Sequence, residues 1–141
     1  MRIISGSLKG KTIFAPKNLP VRPTTDFAKE ALFNILGNLK SLDEVKVLDL
    51  FSGTGNITYE FASRGAKHVV CVDRNFNCFR FIKKTTKELE MSQVIALKYD
   101  VFKYLDKCTE TFDLIFADPP YDIKNINDVH KIVFDRGLLA N

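Results

Sequence analysis

Residues 116–122 read "FADPPYD", so an apolar run ends abruptly on Asp118, Pro119, Pro120 and Tyr121. Asp and Pro are common turn residues, and a turn is the plain reading of this stretch. A turn alone has no need of all four residues, and together they suit one reaction. A carboxylate and a proline carbonyl held rigidly side by side can accept both hydrogens of an exocyclic amino group on a nucleobase. Such an amine is a poor nucleophile because its lone pair is delocalised into the ring. Hydrogen bonds to Asp118 and to the Pro119 carbonyl would localise that lone pair and stabilise the charge that develops as the nitrogen is alkylated. Tyr121 offers an aromatic face for a flipped-out base.

The alkyl donor must come from elsewhere in the chain. "DLFSGTGN" (residues 49–56) is a glycine-rich turn in which Gly53 and Gly55 let the backbone approach a ligand. Asp73 follows about 20 residues later, spaced to accept the hydroxyls of a ribose. No third glycine follows in "GTGNITYE", which weakens a nicotinamide-dependent oxidoreductase. Asp49, immediately before the turn, would repel a pyrophosphate and favours a cationic or polar group. Four segment ends carry acids: Asp49, Asp73, Asp100 and Asp118. An adenosine bearing an amino acid and a sulfonium fits this set, and S-adenosylmethionine is the expected cofactor. Phe51, Ser52 and Arg74 flank the acids as further contacts. Asp100 has two readings, as an N-cap for the helix after it or as an adenine-side residue with the Val101 N–H.

The elements that must position these residues follow from periodicity. Residues 1–16 suggest two short strands around the bend "SGSLKGK". Pro20 and Pro23 keep the next segment extended, Thr24 or Thr25 caps a helix, and Phe27, Ala31, Leu32, Ile35 and Leu36 give that helix its apolar face, with Gly37 as its exit. From residue 45 the pattern alternates. The strands are "VKVLDLF", "AKHVVCVD", "QVIALKYD" and "TFDLIFAD". The helices are "GNITYEFASRG", "NFNCFRFIKKTTKELEM", "VFKYLDKC" and "NINDVHKIVFDRGLL". Alternation of this kind predicts right-handed βαβ crossovers and a parallel sheet covered on both faces. Ligands then sit beyond the carboxyl ends of the strands.

Composition bounds the rest. A chain of 141 residues with 45% hydrophobic and 27% charged residues has one domain's length and enough apolar content for a core. No apolar run reaches membrane-spanning length and the N-terminus has no signal-peptide core, so a cytoplasmic protein is expected, with no membrane partner. Cys71, Cys78 and Cys108 have no CxxC spacing and read as reduced thiols, without a metal site. Residues 1–40 hold seven basic and two acidic residues, a balance of +5, which leaves −1 for the remainder of a chain of net +4. A polyanion-binding arm would show this asymmetry, as would a solvated basic face.

"MRIISGSLKG", "RPTTDFAKEALFNIL", "VLDLFSGTGN", "SRGAKHVVCVD" and "FDLIFADPPYD", in that order, resemble the RsmD-type small-subunit ribosomal RNA methyltransferases. The resemblance runs from Met1 to about Tyr121. It implies a Rossmann-like class I methyltransferase fold with strand order 3-2-1-4 in this chain, S-adenosylmethionine as cofactor, and methylation of a guanine N2 amino group in 16S ribosomal RNA, naked or in the small-subunit particle. It also implies that Arg22, Pro23, Thr24 and Thr25 lie over the cofactor and substrate, and that Arg2, Lys9, Lys11 and Arg22 bind RNA. The expected layout is one domain, 1–141, with a basic hairpin–helix extension at 1–40 and a core at 45–141. Phe27 stands where the family carries a basic residue, and "NITYE" replaces its small residues. Only four of seven class I strands are countable before "RGLLAN". The last of them, ending at Asp118, would lie at an open sheet edge, so the core is expected to be C-terminally truncated: a fragment, a chain with a missing tail, or an assembly that covers that edge by self-association. Two further readings remain: an amino-methyltransferase acting on DNA adenine or cytosine, and a non-catalytic RNA-binding module.

Overall fold

Lys46–Leu50 (β1) is buried at four of its five positions and His68–Asp73 (β2) at its middle four. Strands this apolar on both faces belong inside a parallel sheet, where neither face meets water. In the computed structural model, which describes residues 1–20, 24–120 and 126–140, the two pair in parallel. Val94–Lys98 (β3) lies beyond β2 and Leu114–Ala117 (β4) beyond β1. The order is β3-β2-β1-β4, as the resemblance implied.

Because strand side chains alternate between faces, β1 and β2 serve two cores at once. Val47 and Val69 point to a layer holding Phe33, Ile57 and Phe61, and Cys71 joins Ile3, Ile13, Tyr59 and Ile82 on the same side. That layer contains Asp26–Leu39 (α1), Asn56–Ser63 (α2) and Phe76–Glu88 (α3). Leu48, Leu50, Val70 and Val72 point the other way, against Val101 and Leu105 of Val101–Lys107 (α4) and Val129 and Val133 of Ile126–Asp135 (α5). The architecture is α/β, helices on both faces of a parallel sheet, as expected.

Four local expectations are corrected. The helix after Thr25 does not end at Gly37 but runs to Leu39, and Lys40 leaves it in an extended conformation. A single interior glycine costs a helix only about 1 kcal/mol against alanine, too little to stop one. The same helix turns only part of the expected face inward: Leu32 and Leu36 pack against the core beside buried Lys29 and Phe33, whereas Phe27 is 83% exposed and Ile35 is exposed too. The N-terminal hairpin is reduced to one antiparallel bridge, Arg2 with Thr12, flanked by N–H···O bonds from Ile3 to Lys11 (2.9 Å) and Ile13 to Met1 (2.8 Å). Within the bend the segment bonds both to itself, Gly10 N–H to the Ile3 carbonyl (2.8 Å), and to α2. Finally, the approach to β4 is not bare at its outer edge. Phe112 forms a parallel bridge with Leu139, donating to the Leu138 carbonyl (2.9 Å) and accepting from Ala140 (2.7 Å). Along Leu114–Ala117 itself, no strand among the described residues pairs with that edge.

Candidate functional site

The register of the sheet sets the site. Leu50 pairs with Val72 on one side and with Ala117 on the other. The next residue on each strand is Phe51, Asp73 and Asp118, so these three stand abreast where β1, β2 and β4 end. The chain leaves β1 through a turn with Phe51, Gly53 and Gly55 at φ of 58°, 57° and 86°. A phenylalanine at positive φ is strained, and such strain collects at sites where the surroundings over-determine the backbone. Those surroundings are visible. The Ser52 N–H donates to the Val72 carbonyl (3.1 Å), the Gly53 N–H to Asp73 Oδ2 (2.8 Å), and the Gly55 N–H back to the Ser52 carbonyl (2.9 Å). Gly55 is required for space as well as for φ, since a Cβ there would lie 2.7 Å from the Tyr59 ring.

Asp73 therefore ties the glycine turn to β2, and its other oxygen accepts the Asn75 N–H (2.9 Å). Each carboxylate oxygen has two lone pairs, so both can still accept from ribose hydroxyls. Asp118 is exposed, Pro119 is half-buried and Pro120 is exposed. Asp100 takes the capping role weighed for it: its Oδ1 accepts the Lys103 N–H (3.1 Å) at the start of α4, and Val101 is buried behind it. Arg74 is exposed beside Asp73.

Asp49 departs from the expectation of an acid at a strand end. It lies one residue inside β1, is 1% exposed, and points under α2, where it accepts the Thr58 hydroxyl (2.6 Å). Burial pushes its carboxyl up to about 7; the Thr58 bond opposes this, and the charges of Asp73 and Asp118 add to it. Its closest role in this geometry is to hold the helix that follows the glycine turn.

Thr25 caps α1 by accepting the Ala28 N–H (3.0 Å), and the Thr24 carbonyl accepts from Asn56 Nδ2 (3.4 Å) at the start of α2. The start of α1 thus sits against the glycine turn. Arg22 and Tyr121 lie outside the described residues. Lys9 and Lys11 are exposed on the N-terminal segment, and Arg2 is also exposed but lies 3.7 Å from the Asp26 carboxylate.

A buried ionic network was missed at the level of sequence. Lys29 is 1% exposed and Glu60 is fully buried, with Lys29 Nζ 3.2 Å from Glu60 Oε1. Lys29 also donates to the Arg2 carbonyl (2.6 Å) and to Asn56 Oδ1 (2.8 Å). Glu60 accepts the N–H groups of Ile4 (2.9 Å) and Ser5 (3.1 Å) and the Arg64 guanidinium (2.8 Å). One turn on, Ser63 accepts from the Leu8 N–H (3.0 Å) and donates to the Ser5 carbonyl (2.7 Å). Burial pushes the Lys29 ammonium down against the attraction of Glu60. Burial also opposes charge on Glu60, but the Ile4 N–H, Arg64 and Lys29 outweigh it and hold the carboxyl below its usual range. The N-terminal segment and the start of α1 are both fastened to the helix that begins at the glycine turn. A glutamate inside the apolar run "ITYEFA" was the available signal.

The residues present suit a cationic nucleoside ligand. Three acids surround the turn, and Ser52 Oγ is buried there without a hydrogen-bond partner among the described residues. Comparisons with known proteins point the same way. Residues 1–141 match the family described as "Conserved hypothetical protein 95". The chain is 38% identical to "Putative rRNA methyltransferase YlbH" of Bacillus subtilis, over 99% of this chain and 77% of that protein. It is 30% identical to "Ribosomal RNA small subunit methyltransferase D" of Buchnera aphidicola subsp. Baizongia pistaciae, over all of this chain and 71% of that protein. The solved structure of "Putative methyltransferase yhhF from Escherichia coli" superimposes with a TM-score of 0.88 over all of this chain and 75% of that one, at 24% identity, a likeness of fold. Another, described as "a putative methyltransferase complexed with SAH", aligns with a TM-score of 0.65 at 25% identity, over 80% of this chain and 33% of that one.

Proposed function

Because this chain belongs to the RsmD-type family of ribosomal RNA methyltransferases, we propose that it methylates the exocyclic N2 amino group of a guanine in 16S ribosomal RNA, naked or within the small-subunit particle. Family membership carries the coarser statement, an RNA methyltransferase that uses S-adenosylmethionine. The observation that supports the finer reading is the row of Phe51, Asp73 and Asp118 at the ends of three adjacent strands. A nucleoside held at Asp73 and an amine held at Asp118 would be neighbours, and positioning of this kind supplies much of the rate of a group transfer.

When bound, S-adenosylmethionine supplies an electrophilic methyl group on a sulfonium. Asp73 accepts the ribose hydroxyls, and the backbone of Phe51, Ser52, Gly53 and Gly55 runs along the cofactor. The Val101 N–H meets the adenine edge while Asp100 fixes the start of α4. Asp49 holds the helix that follows the turn, and Arg74 borders the ribose. Asp118 and the Pro119 carbonyl accept the hydrogens of the target amine, the prolines keep both acceptors in place, and Tyr121 stacks on the base. Arg22, Thr24 and Thr25 cover the cofactor, with Arg2, Lys9, Lys11 and Arg22 on the RNA.

Calorimetric titration with S-adenosylmethionine tests the site. Asp73→Ala is expected to weaken binding about tenfold or more, because it removes a charged acceptor. Asp118→Asn is expected to leave binding nearly intact and abolish transfer. Unchanged binding in Asp73→Ala, with the variant folded, would contradict the assignment of Asp73.

A further inference from the structure

Arg80, Lys83, Lys84 and Lys87 are all exposed on α3. Their spacing makes four like-charge pairs three or four residues apart, and each of these destabilises a helix. Little offsets them among the described residues: Lys84 lies 4.0 Å from Glu88, and Lys83 lies over the Phe79 ring at 5.4 Å. A face that solvated the helix and nothing more would mix the two signs. Phe76, 54% exposed, begins the same stripe three residues after Asp73, so the stripe starts beside the candidate cofactor site.

Along its flank runs a groove of about 340 Å³ between α3 and the N-terminal segment. Lys11 and Phe14 form one wall, Phe81, Lys84 and Glu88 the other. Phe14 is 85% exposed, so its ring covers no core. Lys11 belongs to the arm already expected to bind RNA, so groove and arm are continuous.

We propose that the α3 stripe and this groove form a second RNA-binding surface, taking a single-stranded segment of the ribosomal RNA substrate. Arg80, Lys83, Lys84 and Lys87 meet successive phosphates, and Phe14 stacks on a base, with Phe76 a second platform at the catalytic end. Exposed aromatics beside a basic track suit unpaired bases, whose faces are free; a duplex presents none. Glu88 repels phosphate and marks the limit of the track. The inference rests on the ribosomal RNA reading above.

Fluorescence anisotropy with a short labelled single-stranded RNA, alone and annealed to its complement, tests it across a range of salt. All substitutions lie on the surface, and circular dichroism and S-adenosylmethionine affinity report the fold. The double variant Arg80→Glu, Lys84→Glu is expected to bind the single strand about tenfold or more weaker, with its salt slope reduced by about 1.4, two phosphate contacts' worth. Phe14→Ala is expected to lose about five- to a hundredfold on the single strand and little on the duplex. Lys131→Glu, on α5 behind the other face of the sheet, is expected to change neither. Unchanged affinity in the α3 variant, with loss on Lys11→Glu, would overturn this inference and leave the ribosomal RNA reading standing. No RNA binding by the unsubstituted chain would overturn both. Preference of the stripe for phosphatidylserine vesicles over RNA would also overturn it.

Discussion

Glu60 accepts four donors from three parts of the chain, and with Ser63 one turn on it joins the N-terminal segment to α2. Replacing it with glutamine leaves the Lys29 ammonium buried without a counter-charge. Breaking a buried pair from one side costs about 3–5 kcal/mol. Urea unfolding of Glu60→Gln is expected to show a loss of that size, and a larger one than Lys29→Met, which leaves Glu60 its bonds to Arg64, Ile4 and Ser5. Asp49 behaves in the opposite sense with pH. Its folded-state carboxyl titrates near 7, above its unfolded value, so the stability it contributes is full below about pH 4 and is lost as pH rises through 7. Asp49→Asn, which keeps the shape without the charge, is expected to melt on the order of 5 °C higher than the unsubstituted chain at pH 8, with the gap closing towards pH 5. A gap independent of pH would show that Asp49 stays ionised in the fold. Tyr59 is simpler: its hydroxyl is buried with no hydrogen-bond partner among the described residues, so Tyr59→Phe should be neutral or stabilising.

At the scale of elements, the sheet and its order were legible because buried strands and glycine-marked turns are local patterns. "VKVLDLF" and "HVVCVD" could be little else, and "DLFSGTGN" announced a turn that needs positive φ. The helix after Thr25 was legible as a helix but only partly in phase. Leu32 and Leu36 of the expected stripe pack beside Phe33, while Phe27, Ala31 and Ile35 form a second apolar stripe left exposed, and the inner face also takes Lys29, paired with buried Glu60. The N-terminal hairpin was legible as a bend closed by the Arg2–Thr12 bridge, but its docking on α2 was not. The N–H groups of Ile4, Ser5 and Leu8 go to Glu60 and Ser63, more than fifty residues away, a pairing no window of sequence contains. Gly6 records that contact, because it approaches Ser63 too closely to carry a side chain. Gly6→Ala is accordingly expected to release the segment, read as faster amide exchange at Ser7 and Leu8 while β1 and β2 stay protected.

For the whole molecule, the sites proposed for cofactor and target amine and the basic N-terminal arm are all anchored to α2 or to the strand ends around it. The glycine turn leads into α2, Asn56 and Glu60 on α2 fasten the start of α1 and the basic arm, and β1 sets the level of Asp73 and Asp118. The central claim is the chemistry, and nucleoside mass spectrometry tests it most directly. Small-subunit ribosomal RNA lacking the modification, free or in particles, is incubated with the chain and S-adenosylmethionine carrying a labelled methyl group, then digested. The account predicts labelled N2-methylguanosine, absent with Asp118→Asn. Label on adenine or cytosine, or no transfer by a folded chain that binds the cofactor, would contradict it.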